Sequence, residues 1–271
     1  MTINEIRSTI HTEFLAFREE YDRYTRGEGG SNSIRLLNEV EEYLGQHQGK
    51  QLRPTLVLLA AKACGHVQQG HILLATAMEL LHNATLMHDD VVDESDRRRG
   101  DDSVRKRWSN QVAVLCGDFY LAQVMQLLHT VGDNQASQMV AQVVSTMCRG
   151  ELAQLYWTSG KSVTQDVYLD VIGSKTASLM AVCCELGAMP LSSSAPAPYR
   201  QALHDFGYHY GIVFQILDDL ADSQTIHDIQ MPGTSNADDL IQHHRQLATD
   251  ALLPLPQSPS RQALESLLRL Q

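Results

Sequence analysis

Apolar side chains recur along this chain at intervals of three and four residues, the spacing that lines one face of an α-helix. The stretch 69–90 (QGHILLATAMELLHNATLMHDD) is the strongest case, apolar around most of the helix circumference. The same period predicts helices over about 2–25, 33–46, 53–64, 110–130, 135–157, 165–188 and 198–222, with two shorter ones over 235–253 and 259–269. Residues of turn chemistry stand between them: Gly27-Glu28-Gly29-Gly30-Ser31, Gly132-Asp133-Asn134, Ser159-Gly160, Ser192 to Pro198 and Pro254 to Pro259. Strand-like alternation is scarce, and no Pro- or Gly-rich linker divides the chain. The pattern predicts one all-α domain over residues 1–271.

Composition narrows the class. A hydrophobic fraction of 43% with only 6% aromatic residues predicts a core built mainly of aliphatic side chains, and is too apolar for a disordered chain. Asp and Glu number 32 against 21 Lys and Arg, a net charge of −11 that argues against a general nucleic-acid binder. The longest uninterrupted apolar runs, such as Leu56 to Ala61, fall short of a transmembrane segment. The first thirty residues are charged and periodic, unlike a secretion signal. Five cysteines (Cys64, Cys116, Cys148, Cys183 and Cys184) sit mostly in apolar stretches and read as reduced core residues. The expectation is a soluble, cytoplasmic protein.

One acidic motif occurs twice. Asp89-Asp90-Val91-Val92-Asp93 ends one apolar helix and Asp218-Asp219-Leu220-Ala221-Asp222 ends another, each reading DDxxD. A four-residue spacing puts Asp89 and Asp93 on one helix face, and likewise Asp218 and Asp222. Like charges so spaced repel, and carboxylates near a helix C-terminus oppose its dipole. Glu94 and Asp96 add to the burden. A solvated helix end is the plain alternative for one such motif. Two copies, each continuing an apolar stretch, point instead to the mouth of a cavity and to divalent cations, with Mg²⁺ suited because it takes oxygen ligands and shares its shell with phosphates.

Basic residues stand near the first motif. Arg97-Arg98-Arg99 precedes Gly100, and Gly49-Lys50-Gln51-Leu52-Arg53-Pro54 opens a helix with Pro54 in its first turn. A P-loop is excluded, since Gly45 is one residue too close to Gly49 and Gln51 stands where Ser or Thr would hold the metal. Beside two metal sites these cations point to a polyphosphate ligand.

The residues together resemble the trans-isoprenyl diphosphate synthases, or polyprenyl synthetases. GKQLRP at 49–54, HNATLMHDDVVDESDRRRG at 82–100, GDFYLAQ at 117–123, Lys175-Thr176-Ala177 and FQILDDLAD at 214–222 carry the likeness. The resemblance implies a barrel of long helices around a central cavity, usually dimeric. It implies head-to-tail condensation of isopentenyl diphosphate with an allylic diphosphate. Asp89, Asp93 and Asp218 would hold three Mg²⁺ ions on the allylic diphosphate, with Asp90, Asp219 and Asp222 in support. Lys50, Arg53, His82 and Arg99 would form a basic pocket for isopentenyl diphosphate. Arg98, Lys175, Thr176 and Gln215 would grip the allylic diphosphate, Lys175 counting among the catalytic groups. His88 is read as structural, and the five-residue spacing of His204 and His209 makes them a poor zinc pair.

The growing tail would run along the helix before Asp89. Ala84 is small where short-chain family members carry a bulky aromatic, which implies a medium or long product, with Leu81, Met87 and the Met125 region as candidates for a deeper floor. The chain also departs from the family pattern. No lysine follows Lys175, and a segment expected after about residue 225, whose lysines cover the allylic diphosphate, is absent. Either this is a deletion, or a lid segment has been left out and its two sides joined; the second reading is preferred because lids are commonly disordered without ligand. Two alternatives stand beside the elongating enzyme: a non-catalytic or regulatory subunit of a heteromeric synthase, and a class I terpene cyclase.

Overall fold

The apolar stretch 69–90 folds as the longest run of buried positions among the described residues. In the computed structural model, which describes residues 2–26, 32–46, 49–65, 67–158, 163–191, 197, 199–221 and 237–270, the helix α5 (Gln69–Val92) is buried continuously from His71 to Leu81 and again at Ala84, Met87 and Asp90. Each fully buried Leu or Met there contributes roughly 1.5–3 kcal/mol of transfer free energy. α5 packs against α2 (His11–Thr25), α4 (Leu52–Ala63) and α7 (Asn110–Val131). On the other side of α4 stand α10 (Ser178–Gly187), then α11 (Arg200–Ala221) and α12 (Ala237–Ala251). α1 (Ile3–Ser8), α3 (Asn32–Gln46), α6 (Val104–Arg107), α8 (Asn134–Thr158), α9 (Gln165–Ile172) and α13 (Pro259–Leu267) complete the α-helices among the described residues. Side-chain caps from Thr2, Ser103, Ser109, Thr164 and Ser258 fix helix starts, and of these only Ser258 lies in one of the predicted turn segments.

Two glycines position the site. A Cβ on Gly207 would lie 2.6 Å from the Met180 carbonyl oxygen, and one on Gly211 would lie 2.5 Å from Ala177 Cα. Four residues apart, they share one face of α11 and let its backbone touch the chain before and within α10. That contact presses a π-helical turn, Gly173–Ala177, between α9 and α10 against α11. Such turns re-aim side chains, and this one carries Lys175 and Thr176.

Several expectations need correction. The helix over 2–25 is two helices, broken at Thr9 and Ile10. Arg97–Arg98 and Asp101–Asp102 form a two-stranded hairpin, with Arg97 opposite Asp102 and Arg98 opposite Asp101. Charge pairing across the strands favours it over a free basic loop. Asn110–Val131 and Gln165–Gly187 are by length and composition apolar enough to cross a membrane, each with mean hydropathy 1.3. Short runs separated by small residues conceal this on a reading of uninterrupted stretches. Both segments are nonetheless packed into the helical body, the second 56% buried and the first 33%. Cys148 is exposed, not a core residue, while Cys116, Cys183 and Cys184 are buried. His209 pairs with His244 of α12, their Nδ1 atoms 2.9 Å apart, rather than with His204.

Candidate active site

The last turn of α5 presents Asp89 and Asp90, and Asp93 caps it, its N–H donating to the Asp89 carbonyl at 2.8 Å. Burial pushes the Asp89 carboxyl up to about 7; Glu151 and Asp93 push the same way, while Lys175 and Arg98 oppose them. Lys175 reaches over from the π-turn. Its Nζ lies 2.8 Å from Glu151 Oε2 and donates to Gln154 Oε1 at 3.4 Å. Burial works against the ammonium charge, but Glu151, Asp89 and Asp93 outweigh it and raise the group. The C-terminal end of α5, α8 at Glu151 and the π-turn therefore meet at one charged focus.

The second motif joins through the next residue of that turn. Thr176 Oγ1 donates to Gln215 Oε1 at 2.8 Å, and Gln215 Nε2 donates to Asp219 Oδ1 at 2.7 Å. The Tyr168 hydroxyl donates to the other oxygen, Oδ2, at 2.6 Å. Asp219 is thus held by neighbours, and Asp218 is exposed at the end of α11. Asp90 is held likewise: Arg98 donates to its Oδ1 through Nε at 2.9 Å and Nη2 at 2.5 Å. Arg98 accordingly faces Asp90. Asp222 lies outside the described residues.

The donor chemistry suits a hard divalent cation. Glu151 Oε1 is buried without a hydrogen-bond partner, and Asp89, Asp93 and Glu151 offer oxygen only. Their mutual repulsion is what such an ion relieves. As the side chains stand, no three His, Cys, Asp or Glu residues among the described ones share an ion site. The Lys175 ammonium lies in the field of these carboxylates instead.

The basic residues form a second focus. Arg53 is fully buried at its Nε, which has no hydrogen-bond partner. Burial lowers its guanidinium, and Glu79 opposes that. The Arg99 guanidinium lies against Gly49, where a Cβ would meet it at 2.5 Å. Burial and then the charges of Arg53, Arg99 and Arg98 hold His82 well below the usual histidine range. Lys50 is exposed at the turn before α4. Beneath them Glu79 is buried, raised by that burial and drawn back by Arg53, Arg99, Arg7 and Arg18.

A cavity of about 550 Å³ opens beside this focus, lined among others by Gly49, Gln51, Glu79, Asn83 and Arg99, but not by Asp89, Asp93 or Asp218. Ala84, Leu81 and Met87 are buried on α5. Met125 is 70% exposed on the outer face of α7, so it forms no internal floor. The His88 ring lies against Gly117, with its Nε2 3.4 Å from Asp118 Oδ1.

Glu151, Gln154, Tyr168, Glu79 and Arg7 were not legible as site residues. Glu151 had one signal: it is the sole acidic residue in the sequence of α8.

Comparison with known proteins decides the family. A model of the polyprenyl synthetases matches residues 34–249. The chain belongs to the polyprenyl synthetase family. This member is 36% identical over 222 residues to a protein named heptaprenyl diphosphate synthase component 2 from Geobacillus stearothermophilus, covering 82% of this chain and 67% of the relative. It is 33% identical to an octaprenyl diphosphate synthase of Escherichia coli (strain K12), over 78% of this chain and 64% of that one. The chain thus spans about two thirds of the length of the curated relatives it matches. Its fold superposes with TM-score 0.88 on the crystal structure of a decaprenyl diphosphate synthase from Rhodobacter capsulatus, 28% identical, covering 99% of this chain and 98% of the other. The all-α isoprenoid synthase fold is therefore established.

Proposed function

We propose that this chain is one polyprenyl synthetase-like domain that condenses isopentenyl diphosphate with an allylic diphosphate to give a medium- or long-chain trans-polyprenyl diphosphate. The observation that carries the reading is the meeting of Asp89, Asp93 and Glu151 with Lys175 beside Thr176 and Gln215, next to a separate cluster of Arg53, His82 and Arg99. Two anionic substrates need two such places. The names of the relatives support elongation, and they favour neither the cyclase nor the non-catalytic alternative.

Asp89, Asp93 and Asp218 would hold Mg²⁺, with Asp222 a further candidate. Bound Mg²⁺ would supply positive charge to the departing pyrophosphate. A relative of the fold, the polyprenyl synthase from Caulobacter crescentus CB15, is described in complex with calcium and isoprenyl diphosphate. Asp90 and Asp219 serve as supports: the first orients Arg98, and the second fixes Gln215 and, through it, Thr176. Lys175, Thr176, Gln215 and Arg98 hold the allylic diphosphate while its carbon–oxygen bond breaks. Lys50, Arg53 and Arg99, with the His82 ring, orient isopentenyl diphosphate so that its double bond faces the allylic carbon. The allylic carbon–oxygen bond ionises to an allylic cation, the isopentenyl double bond attacks that cation to form the new carbon–carbon bond, and the proton lost from the isopentenyl unit passes to the departed pyrophosphate.

A homodimer completes the proposal. Leu115 and Met125 on α7 and Leu152 on α8 are 67%, 70% and 66% exposed, apolar side chains that a second copy would cover. Light scattering on the purified chain should give twice the monomer mass.

The test of function is incubation of the purified protein with Mg²⁺, farnesyl diphosphate and labelled isopentenyl diphosphate, followed by product sizing. Labelled prenyl diphosphates are expected. Cyclic hydrocarbon from the allylic substrate alone, or no product, contradicts the reading.

A further inference from the structure

Arg7 lies on α1, outside residues 34–249 that match the family model. Its guanidinium nevertheless reaches the turn that opens α4. Nη2 donates to the carbonyl oxygen of Lys50 and, at 3.2 Å, to that of Gln51. Nε donates to Thr55 Oγ1 at 3.1 Å. Thr55 Oγ1 in turn donates to the Gln51 carbonyl at 2.8 Å. The guanidinium carbon sits 4.4 Å over the Phe14 ring, which fixes the fork from its other face.

The turn needs such a clamp. Gln51 has φ 43° and ψ 50°, the left-handed conformation that a residue with a side chain adopts only at a cost. Arg18 of α2 adds a contact from its Nη1 to Gln51 Oε1 at 3.5 Å. Lys50 precedes this residue and Arg53 follows it by two, so the turn sets where both side chains stand. Below the turn Arg7 also faces Glu79, the buried carboxylate that Arg53 and Arg99 share.

We infer that Arg7 is a positioning residue for isopentenyl diphosphate: it holds the left-handed Lys50–Gln51 turn through two backbone carbonyls and thereby aims Lys50 and Arg53. The inference rests on the reading of Lys50, Arg53 and Arg99 as the isopentenyl diphosphate subsite. Arg7 itself touches no substrate. The effect belongs in the affinity for one substrate and leaves the other unmoved.

Full-length Arg7→Ala, Arg7→Lys and a control, Glu13→Gln, are compared by steady-state kinetics. The control removes the Glu13–Lys62 ion pair, 2.5 Å, which joins α2 to α4 away from the turn. Losing charge-assisted hydrogen bonds to the turn should raise KM for isopentenyl diphosphate about tenfold in Arg7→Ala. The allylic KM and kcat should stay within about twofold of wild type. Arg7→Lys keeps the charge but lacks the fork, and should recover only part of the loss. Millimolar guanidinium ion should restore Arg7→Ala, and Glu13→Gln should leave both KM values unchanged. An unchanged isopentenyl KM in Arg7→Ala, equal losses in kcat and both KM values, or the same rise in Glu13→Gln overturns the inference. Should Arg7→Ala fail to fold, a wild-type KM in Arg7→Lys overturns it equally. Wild-type protein that makes no prenyl diphosphate sinks the functional reading instead. Calorimetry with inorganic pyrophosphate then decides the role of Arg7: weaker binding in Arg7→Lys supports it, and equal binding overturns it.

Discussion

Glu41 offers a test of the fold's electrostatics that does not depend on turnover. It lies on α3, where its Oε1 accepts a hydrogen bond from the Tyr120 hydroxyl. Tyr120 is hydrogen-bonded with Tyr21, and Asn83 donates to the Tyr21 hydroxyl at 2.8 Å. The network thus braces α5 next to Ala84. Burial pushes the Glu41 carboxyl from 4.5 to about 8, with the Tyr120 hydrogen bond pulling the other way. Between those values the folded chain keeps a proton that the unfolded chain has lost, so stability falls as pH rises. At roughly 1.4 kcal/mol per unit the shift sets a ceiling of about 5 kcal/mol. Glu41 lines the cavity, and screening there leaves about 2–3 kcal/mol. Glu41→Gln keeps an acceptor for Tyr120 and carries no charge. Urea unfolding followed by circular dichroism at pH 5.5 and 8.5 checks it, with wild type losing about that much more stability than the variant across the interval. Parallel pH dependences, or a variant less stable than wild type at the higher pH, refute the reasoning.

Further predictions concern packing and product. Ala84→Phe places a ring at a fully buried position of α5; it should shorten the prenyl product by at least one unit and cost about 1–3 kcal/mol in chemical denaturation, an unchanged product length excluding Ala84 as a determinant. Gly211→Val brings a side chain to 2.5 Å from Ala177 Cα, and should lower thermal stability by several degrees while displacing Lys175 and Thr176, read as a raised allylic KM. Asp219→Asn disturbs the contacts from Tyr168 and Gln215 and should cost about 1–2 kcal/mol. The exposed Asp218→Asn should leave stability within about 0.5 kcal/mol yet weaken Mg²⁺-dependent diphosphate binding at least tenfold, as read by calorimetry.

The helices were legible because burial follows a period the sequence displays: α5, α7 and α11 begin and end within a few residues of the apolar pattern. What is hidden in the sequence comes from contacts between distant elements. Nothing at Thr9 and Ile10 announces the break between α1 and α2, because Arg7 on one side answers to Lys50 and Gln51. Gly207 and Gly211 read locally as poor helix formers, yet they are the seam that sets the π-turn against α11. The aspartate motifs stood out by their own repulsion. Their division of labour did not, since Asp90 and Asp219 are occupied by Arg98, Gln215 and Tyr168, partners 4 to 51 residues away. The resemblance put His82 in a basic pocket, and burial with the charges of Arg53, Arg99 and Arg98 holds its ring well below the usual histidine range.

Diffraction from crystals grown with Mn²⁺ in place of Mg²⁺ and a non-hydrolysable allylic thiolodiphosphate tests the central claim most directly. Anomalous peaks on the carboxylates of Asp89, Asp93 and Asp218, with the diphosphate between them and Lys175, are predicted. Diphosphate bound elsewhere, or bound there with no metal peak at those aspartates, contradicts the account.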